Sequence, residues 1–422
     1  MMVDKKDVLE KHKLHRGKIE VIGKVPVDTR EELSTYYTPG VAYVSEDISR
    51  NTELAYDYTN KGNTIAIVSD GTRILGLGDV GPEAGLAVME GKALLFKRFG
   101  GVDAVPLCLR KSTESEILTF LKQIEPTFGA VNIEDIESPK ALRVVREASK
   151  MLGIPVFHDD QQGTSAVVLG ALMNALKIVG KGRDIKIVVM GAGSAGIGIV
   201  NLLVFAGFKR IYVTDSKGLL YKGRGNGDNE FKDEIAAKTN PEDMQGALED
   251  VISGADVFIG VSGEAGAFKK ELIGRMAEKP IVFGLSNPSP EIEYQDAKAG
   301  GAFIAATGRS DTPNQINNVV AFPGISRGLL EVRAKAVTLE ILLAAAKAIA
   351  KCVGRSLSPD MIVPGMSDNK MALKITQSVA AAVGTTAMEL GLARVSSSPD
   401  DIKKRTKALI KRYQRIEKRA VE

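Results

Sequence analysis

Ile185-Lys186-Ile187-Val188-Val189-Met190 runs directly into Gly191-Ala192-Gly193-Ser194-Ala195-Gly196, and a helical run ending near Ala206 follows. The next β-branched run, Ile211 to Thr214, ends at Asp215. This alternation predicts strand, tight turn, helix and strand. The first glycine permits the turn, the second lets backbone approach a pyrophosphate, and the third allows close helix-to-strand packing. Free N–H groups at the helix start suit phosphate oxygens. Asp215 lies about twenty residues past the motif, where an acid accepts ribose hydroxyls. Gly191, Gly193, Ser194, Ala195, Gly196 and Asp215 are therefore candidate ligands of a dinucleotide. An acid at this strand end favours NAD, but Lys217, Lys222 and Arg224 just beyond could pair with a 2′-phosphate, so the residues leave NAD and NADP both open.

Outward from this turn, short β-branched runs alternate with amphipathic stretches, the pattern of an α/β protein with parallel strands. Thr64 to Val68, Ala104 to Leu109, Ala130 to Ile133 and Ile154 to Phe157 read as the strands of a first unit. Ile185 to Met190, Ile211 to Thr214, Val257 to Val261, Ile281 to Leu285 and Phe303 to Ala306 read as those of a second. The helices between have start signals: Thr113 to Glu116 forms a capping box, and Ser138 precedes Pro139 at a first helical position. Thr164 to Val179 reads as a connecting helix, and strand signals stop after about Phe322. The expected architecture is an N-terminal α/β catalytic domain, 1–157. It is followed by a Rossmann-type, doubly wound parallel domain, 158–422, with a helical extension from about 331.

Composition narrows the class. Hydrophobic residues at 44% and charged residues at 26% of 422 describe a globular chain rather than a disordered or membrane one. The apolar segment Ala334 to Val353 carries Glu340, Lys347 and Lys351, costly at bilayer depth, so it reads as a packed helix. Met1 to Lys18 lacks the apolar core of a secretory signal, and two isolated cysteines, Cys108 and Cys352, make no disulfide framework; both fit the cytoplasm. A balance of 56 basic against 52 acidic residues gives no footprint for nucleic acid. The basic run Lys403 to Arg419 shares its helical spacing with Ile402, Leu409, Tyr413, Ile416 and Ala420, and so reads as a docked terminal helix with a solvated face, an anion-binding arm being the alternative.

Ligands of open α/β sheets lie beyond the carboxyl ends of the strands. Two strands there run into acid pairs, Glu134-Asp135 and Asp159-Asp160. If the strands are neighbours, four carboxylates converge and repel unless a cation joins them. Oxygen donors suit Mg²⁺ or Mn²⁺, and three histidines with two scattered cysteines argue against zinc or iron. Asp135 or Asp159 could instead cap a helix. Lys92 lies on an apolar helical face with Met89, Ala93 and Phe96, where burial is expected to lower its pKa toward that of a usable base; a snorkelling lysine is the plainer alternative. Gly91 beside it hints at a close approach. Tyr36 and Tyr37 sit before the turn Thr38-Pro39-Gly40 and could offer a phenol. Arg73 could clamp a carboxylate, and Asn287 and Asn317-Asn318 carry amides suited to one. Ordinary packing, surface and turn roles compete for each of these.

Taken in order, these segments resemble the malic enzymes, especially the short archaeal and bacterial type. The resemblance rests on Tyr36-Tyr37-Thr38-Pro39-Gly40-Val41-Ala42, Ser69 to Asp79, Glu90-Gly91-Lys92-Ala93, Asn132 to Ile136, His158 to Thr164 and Ala321-Phe322-Pro323-Gly324. It implies Glu134, Asp135 and Asp160 as metal ligands and Asp159 as the partner of Lys92. Lys92 would be the general base and Tyr36 the general acid. Arg73, Asn287 and Asn318 would be substrate contacts, with Asn287 also near the cofactor. The implied reaction is oxidative decarboxylation of L-malate to pyruvate and CO₂ with reduction of NAD(P)⁺, in a cytoplasmic homodimer that needs neither membrane nor nucleic acid. A malolactic enzyme, releasing lactate, is the nearest alternative. An amino-acid dehydrogenase of similar two-domain order is a further one, disfavoured by the acid pairs. Gln162 stands where many bacterial members carry histidine, and the transferase-like C-terminal domain of some members is not expected here.

Overall fold

The computed structural model describes residues 4–74 and 76–421, with side chains to Lys418. Met1 to Val3, Leu75 of the stretch after Arg73, and the side chains of Arg419 and Ala420 in the basic run fall outside it.

Strands β1 (Thr64–Ser69), β2 (Asp103–Cys108), β3 (Ala130–Ile133) and β4 (Val156–His158) form a parallel sheet in the order β2-β1-β3-β4. A second sheet holds β5 (Lys186–Met190), β6 (Arg210–Asp215), β7 (Gly218–Leu219), β8 (Val257–Gly260), β9 (Ile281–Gly284) and β10 (Ile304–Thr307) in the order β10-β9-β8-β5-β6-β7. Only β7 is antiparallel, and at two residues it left no run to read. Every other strand falls within two residues of its expected bounds. The central strand β1 is buried along its whole length, as a strand covered by helices on both faces must be.

Both sheets reverse direction of winding next to a chemically rich loop. In the first, β1 is followed in sequence by β2 on one side and by β3 on the other, so the segments leaving β1 and β3 part and open a crevice. In the second, the same split lies between β5 and β8. The dinucleotide turn and the Glu134-Asp135 pair thus each occupy the switch point of their sheet.

The helix Glu114–Ile124 begins with the expected reciprocal cap between Thr113 and Glu116. The helix Lys140–Met151 departs from expectation. Pro139 is its cap residue, and the hydroxyl of Ser138 bonds to nothing. The carbonyl of Glu137 takes the N–H of Ala141 at 2.9 Å, which closes the first turn without a side-chain cap. Thr164–Val179 is helical over the range read, and twelve of its sixteen residues are buried. With Asp159–Gly163 it is long and apolar enough to cross a membrane, but it is wrapped by protein as a core helix.

The C-terminal helices bind both halves. Leu339–Val353 packs on Thr164–Val179, while Phe322–Glu331 and Pro399–Val421 pack on Pro82–Gly100. The basic terminal helix is docked, with Ile402, Thr406 and Ile410 buried. One continuous core therefore runs from Ile65 and Phe96 through Val167 to Ile187. Phe322–Glu331 and Asn369–Glu389 approach closely through glycine: a Cβ on Gly328 would stand 2.6 Å from the carbonyl oxygen of Ala380. Gly328→Val is expected to cost about 1–3 kcal/mol through overpacking. Thermal denaturation would register this as a lowered Tm, and an unchanged Tm would show that the two helices can spread.

Candidate active site

Lys92 projects from Pro82–Gly100 on the face it shares with Met89, Ala93 and Phe96, all of them buried. Its ammonium enters the crevice beyond β3 and β4, donating to Glu134 Oε1 at 3.0 Å and to the carboxylate of Asp159. Glu134 is fixed in turn by Asn132, whose Nδ2 donates to its other oxygen at 2.7 Å. Phe322 closes the remaining side, its ring centre 4.2 Å from Lys92 Nζ and 4.5 Å from the ring of Phe96. Lys92 is 8% exposed and Asp159 0%, so this is a buried charge cluster rather than a surface ion pair.

The pKa expectation for Lys92 is overturned. Burial does push its ammonium down, but Asp159 and Glu134 outweigh it and hold the group above the usual lysine range. Burial pushes the Asp159 carboxyl up as well, against the opposing charge of Lys92. The close approach read from Gly91 is also absent, since a Cβ there would meet nothing within 4 Å. The structure gives no account of that glycine.

Asp159 opens a single π turn, Asp159–Gly163, ahead of the core helix, and it caps no backbone N–H. Gly163 makes the room for it: a Cβ there would stand 1.8 Å from Asp159 Oδ1. Gln162 reaches back to accept the N–H of His158 at 2.9 Å. Asp135 is no cap either. It holds a left-handed φ of 49°, rare outside glycine, and its carbonyl accepts the N–H of Arg73 at 3.1 Å, joining the two loops of the switch point.

The acid pairs are neighbours, as expected, but they are gathered around an ammonium. Among the described residues no three His, Cys, Asp or Glu side chains already stand as a metal site. Lys92 takes the central place, satisfying Glu134 and Asp159. What remains is unbalanced. Burial, with Glu134 and Asp160 nearby, pushes the Asp135 carboxyl up to about 8. Asp135 Oδ2 and Asp159 Oδ1 are buried without a hydrogen-bond partner. Orphaned hard oxygens on a crowded set of carboxylates are the donors a divalent cation takes.

Tyr36 is the last residue of the helix Arg30–Tyr36 rather than part of a turn, because Thr29 and Glu32 form a capping box that sequence reading missed. It is 48% exposed and makes no hydrogen bond to the Lys92 cluster. Arg73 is exposed at the crevice, its guanidinium 3.9 Å from where a Cβ on Gly263 would lie across the cleft, and no described residue accepts a hydrogen bond from that guanidinium. The Asn287 amide lies beside Gly308. Asn318 belongs to the turn Asn318–Val320, packed against Asp159–Gly163, with its amide unbonded, while Asn317 caps that turn. Asn132 and Phe322 were not singled out from the sequence, although both lie inside the quoted motifs.

The dinucleotide turn has the expected form. Gly191 adopts φ 115°, a Cβ on Gly196 would stand 1.9 Å from the carbonyl oxygen of Gly191, and Gly193 faces open space. The helix Ser194–Phe205 begins with no side-chain cap, leaving its N–H groups for phosphate. This helix packs against the π turn, where a Cβ on Gly198 would lie 2.2 Å from the carbonyl oxygen of Gln161, so the turn and the Lys92 cluster are held side by side. Asp215 is already gripped. Arg224 binds both its oxygens, at 3.0 and 2.7 Å, and Lys232, which sequence reading missed, adds 2.7 Å. Burial alone would raise this carboxyl, but Arg224, Lys232 and the N–H of Lys217 hold it far below the usual range. Arg224 is therefore spent on Asp215 rather than free beyond it.

Two family models match the chain: the malic enzyme N-terminal domain over residues 16–119 and the malic enzyme NAD binding domain over 161–388. A bifunctional malic/malolactic enzyme of Bacillus subtilis (strain 168) is 48% identical over 96% of this chain and 98% of its own length. An NAD-dependent malic enzyme of Geobacillus stearothermophilus is 48% identical over 91% of this chain and 79% of its own. The crystal structure of the malic enzyme from Pyrococcus horikoshii Ot3 superposes with a TM-score of 0.90 at 43% identity, covering 97% of both chains. Matched by both domain models and by relatives nearly half identical along most of its length, this chain belongs to the malic enzyme family.

Proposed function

We propose that this chain oxidatively decarboxylates L-malate to pyruvate and CO₂ with reduction of NAD(P)⁺. The observation that carries this is a buried lysine locked between two carboxylates immediately beside a dinucleotide turn. Glu134, Asp135 and Asp160 would hold Mg²⁺ or Mn²⁺, a reading supported by the orphaned Asp135 oxygen and that residue's raised pKa. When bound, the ion supplies a Lewis acid for charge on the substrate oxygen, and the dinucleotide accepts hydride from C2.

The chain's own residues do the rest. Arg73 meets a substrate carboxylate, and Asn287 and Asn318 orient it with their amides. Glu134 now serves Lys92; were it to hold a cation instead, part of what keeps Lys92 protonated would be withdrawn. Lys92 would then pass its own proton to Asp159, its bonded partner, whose carboxyl burial pushes up, and as a neutral amine would take the C2 hydroxyl proton. Phe322 and the helix behind Lys92 exclude water from the exchange. Tyr36 delivers a proton to C3 after CO₂ departs. Its exposure, with that of Leu9, Leu14, Val21, Tyr37 and Tyr43 on the N-terminal arm, is what a homodimer would cover. Because Arg224 and Lys232 already balance Asp215, this acid does not by itself reject a 2′-phosphate, and both cofactors are admitted.

Purified protein given malate, Mn²⁺ and NAD⁺ or NADP⁺ is expected to form pyruvate and reduced cofactor in equal amounts, and chelation should stop both. Lactate with no net reduced cofactor would establish the malolactic reaction instead. For Lys92→Ala we expect malate oxidation to fall by roughly a thousandfold, within the range of general-base contributions, with calorimetric cofactor affinity unchanged. A near-normal rate would remove Lys92 from its role.

Asp135 gives a pH signature. Its folded pKa of about 8 lies above the ordinary 3.8, so between those values the native state keeps a proton that the unfolded chain has lost. Its contribution to stability is thus present at low pH and is lost as pH rises toward 8. Without metal, the Tm of the native chain minus that of Asp135→Asn should fall across this interval, and saturating Mn²⁺ should reverse the trend. A pH-independent difference would mean that Asp135 is ionised throughout.

A further inference from the structure

A second concavity, of about 360 Å³, lies at the amino ends of β5 and β6, the sheet edge opposite the dinucleotide turn. Its floor and walls are the apolar ends of Thr164–Val179 and Ser194–Phe205 with one face of Leu339–Val353. The volume is that of a small-molecule site. Phe205, 40% exposed, and Leu343 are among its apolar lining.

Lys177, Lys181, Arg183 and Lys347 also line it, and among the described residues no acidic side chain does. Two of these cations have other tasks. Lys181 pairs with Asp256 at 2.7 Å, and Lys177 complements the C-terminal end of its own helix. Arg183 and Lys347, on different elements, have no hydrogen-bond or ion-pair partner among the described residues. An apolar trough with two unpaired cations and no anion at its rim complements a molecule with an apolar body and one negative head.

We propose that this groove binds a medium-chain carboxylate, its chain on Phe205 and Leu343 and its head between Arg183 and Lys347. The site is distinct from the dinucleotide turn. Ser194–Phe205 begins at that turn and reaches the groove only at its far end, so the two sites can be filled together.

Calorimetric titration of the full chain with decanoate, below its micelle concentration, tests this. Saturable one-site binding is expected, with decanol and decyltrimethylammonium bound roughly tenfold or more weakly, since neither carries an anionic head to pair with the two cations. Arg183→Ala with Lys347→Ala should weaken decanoate by a similar factor, and Leu343→Trp, which fills the trough, should abolish binding. Saturating NAD⁺ or NADP⁺ should leave decanoate bound. The proposal fails if decanol binds as well as decanoate, if the double variant binds normally, or if the cofactor displaces decanoate. It also fails if Phe205→Asp alone lowers the sedimentation coefficient of the ligand-free protein, which would make the groove an interface between copies of the chain.

Discussion

Lys92 between Asp159 and Glu134 is the contact on which the rest of the molecule is built. A buried ammonium would lose its proton or be expelled were it alone, and buried carboxylates this close would repel. Each is tolerated only because the others are present. Holding them together draws on three distant parts of the chain: the helix after β1, the end of β3 and the π turn after β4. The first sheet exists in this strand order to bring those parts to one crevice.

The second sheet is tied to the same point. Its dinucleotide helix packs against the π turn through Gly198, and the core helix that follows the turn carries the contact on to the C-terminal helices. Phe322, which starts one of those helices, returns to roof the ammonium. The dinucleotide turn and the carboxylates at strand ends, and Lys92 on its helix, thus stand on elements that share one core, and that packing sets their separation.

What was legible in the sequence and what was not divide along physical lines. Period-2 and β-branched runs marked nine of ten strands, because each is a local, fully buried segment. The glycine turn was legible for the same reason: Gly191 and Gly196 must meet across a few residues. Errors came where a non-local partner decides. Burial of Lys92 was correctly expected, but the direction of its pKa depended on Glu134 and Asp159, 42 and 67 residues away. Arg224 was read as free, while its partner Asp215 sits nine residues earlier across a strand turn, and Lys232 was missed altogether. The start of Lys140–Met151 and the helix under Tyr36 were misplaced because competing local signals, Ser138-Pro139 and Thr38-Pro39, outweighed the backbone and side-chain caps that form. The resemblance carried Asp159 and Tyr36 into roles that spacing alone did not assign.

The most direct test of the account is the protonation of Lys92 itself. With the chain labelled by ¹⁵N-lysine, the ammonium resonance can be followed against pH with and without Mg²⁺. Lys92 is expected to stay protonated above the usual lysine range in the metal-free protein, and Mg²⁺ to lower its pKa if Glu134 leaves it for the cation. An ordinary lysine pKa without metal, or one that Mg²⁺ leaves unchanged, would contradict it.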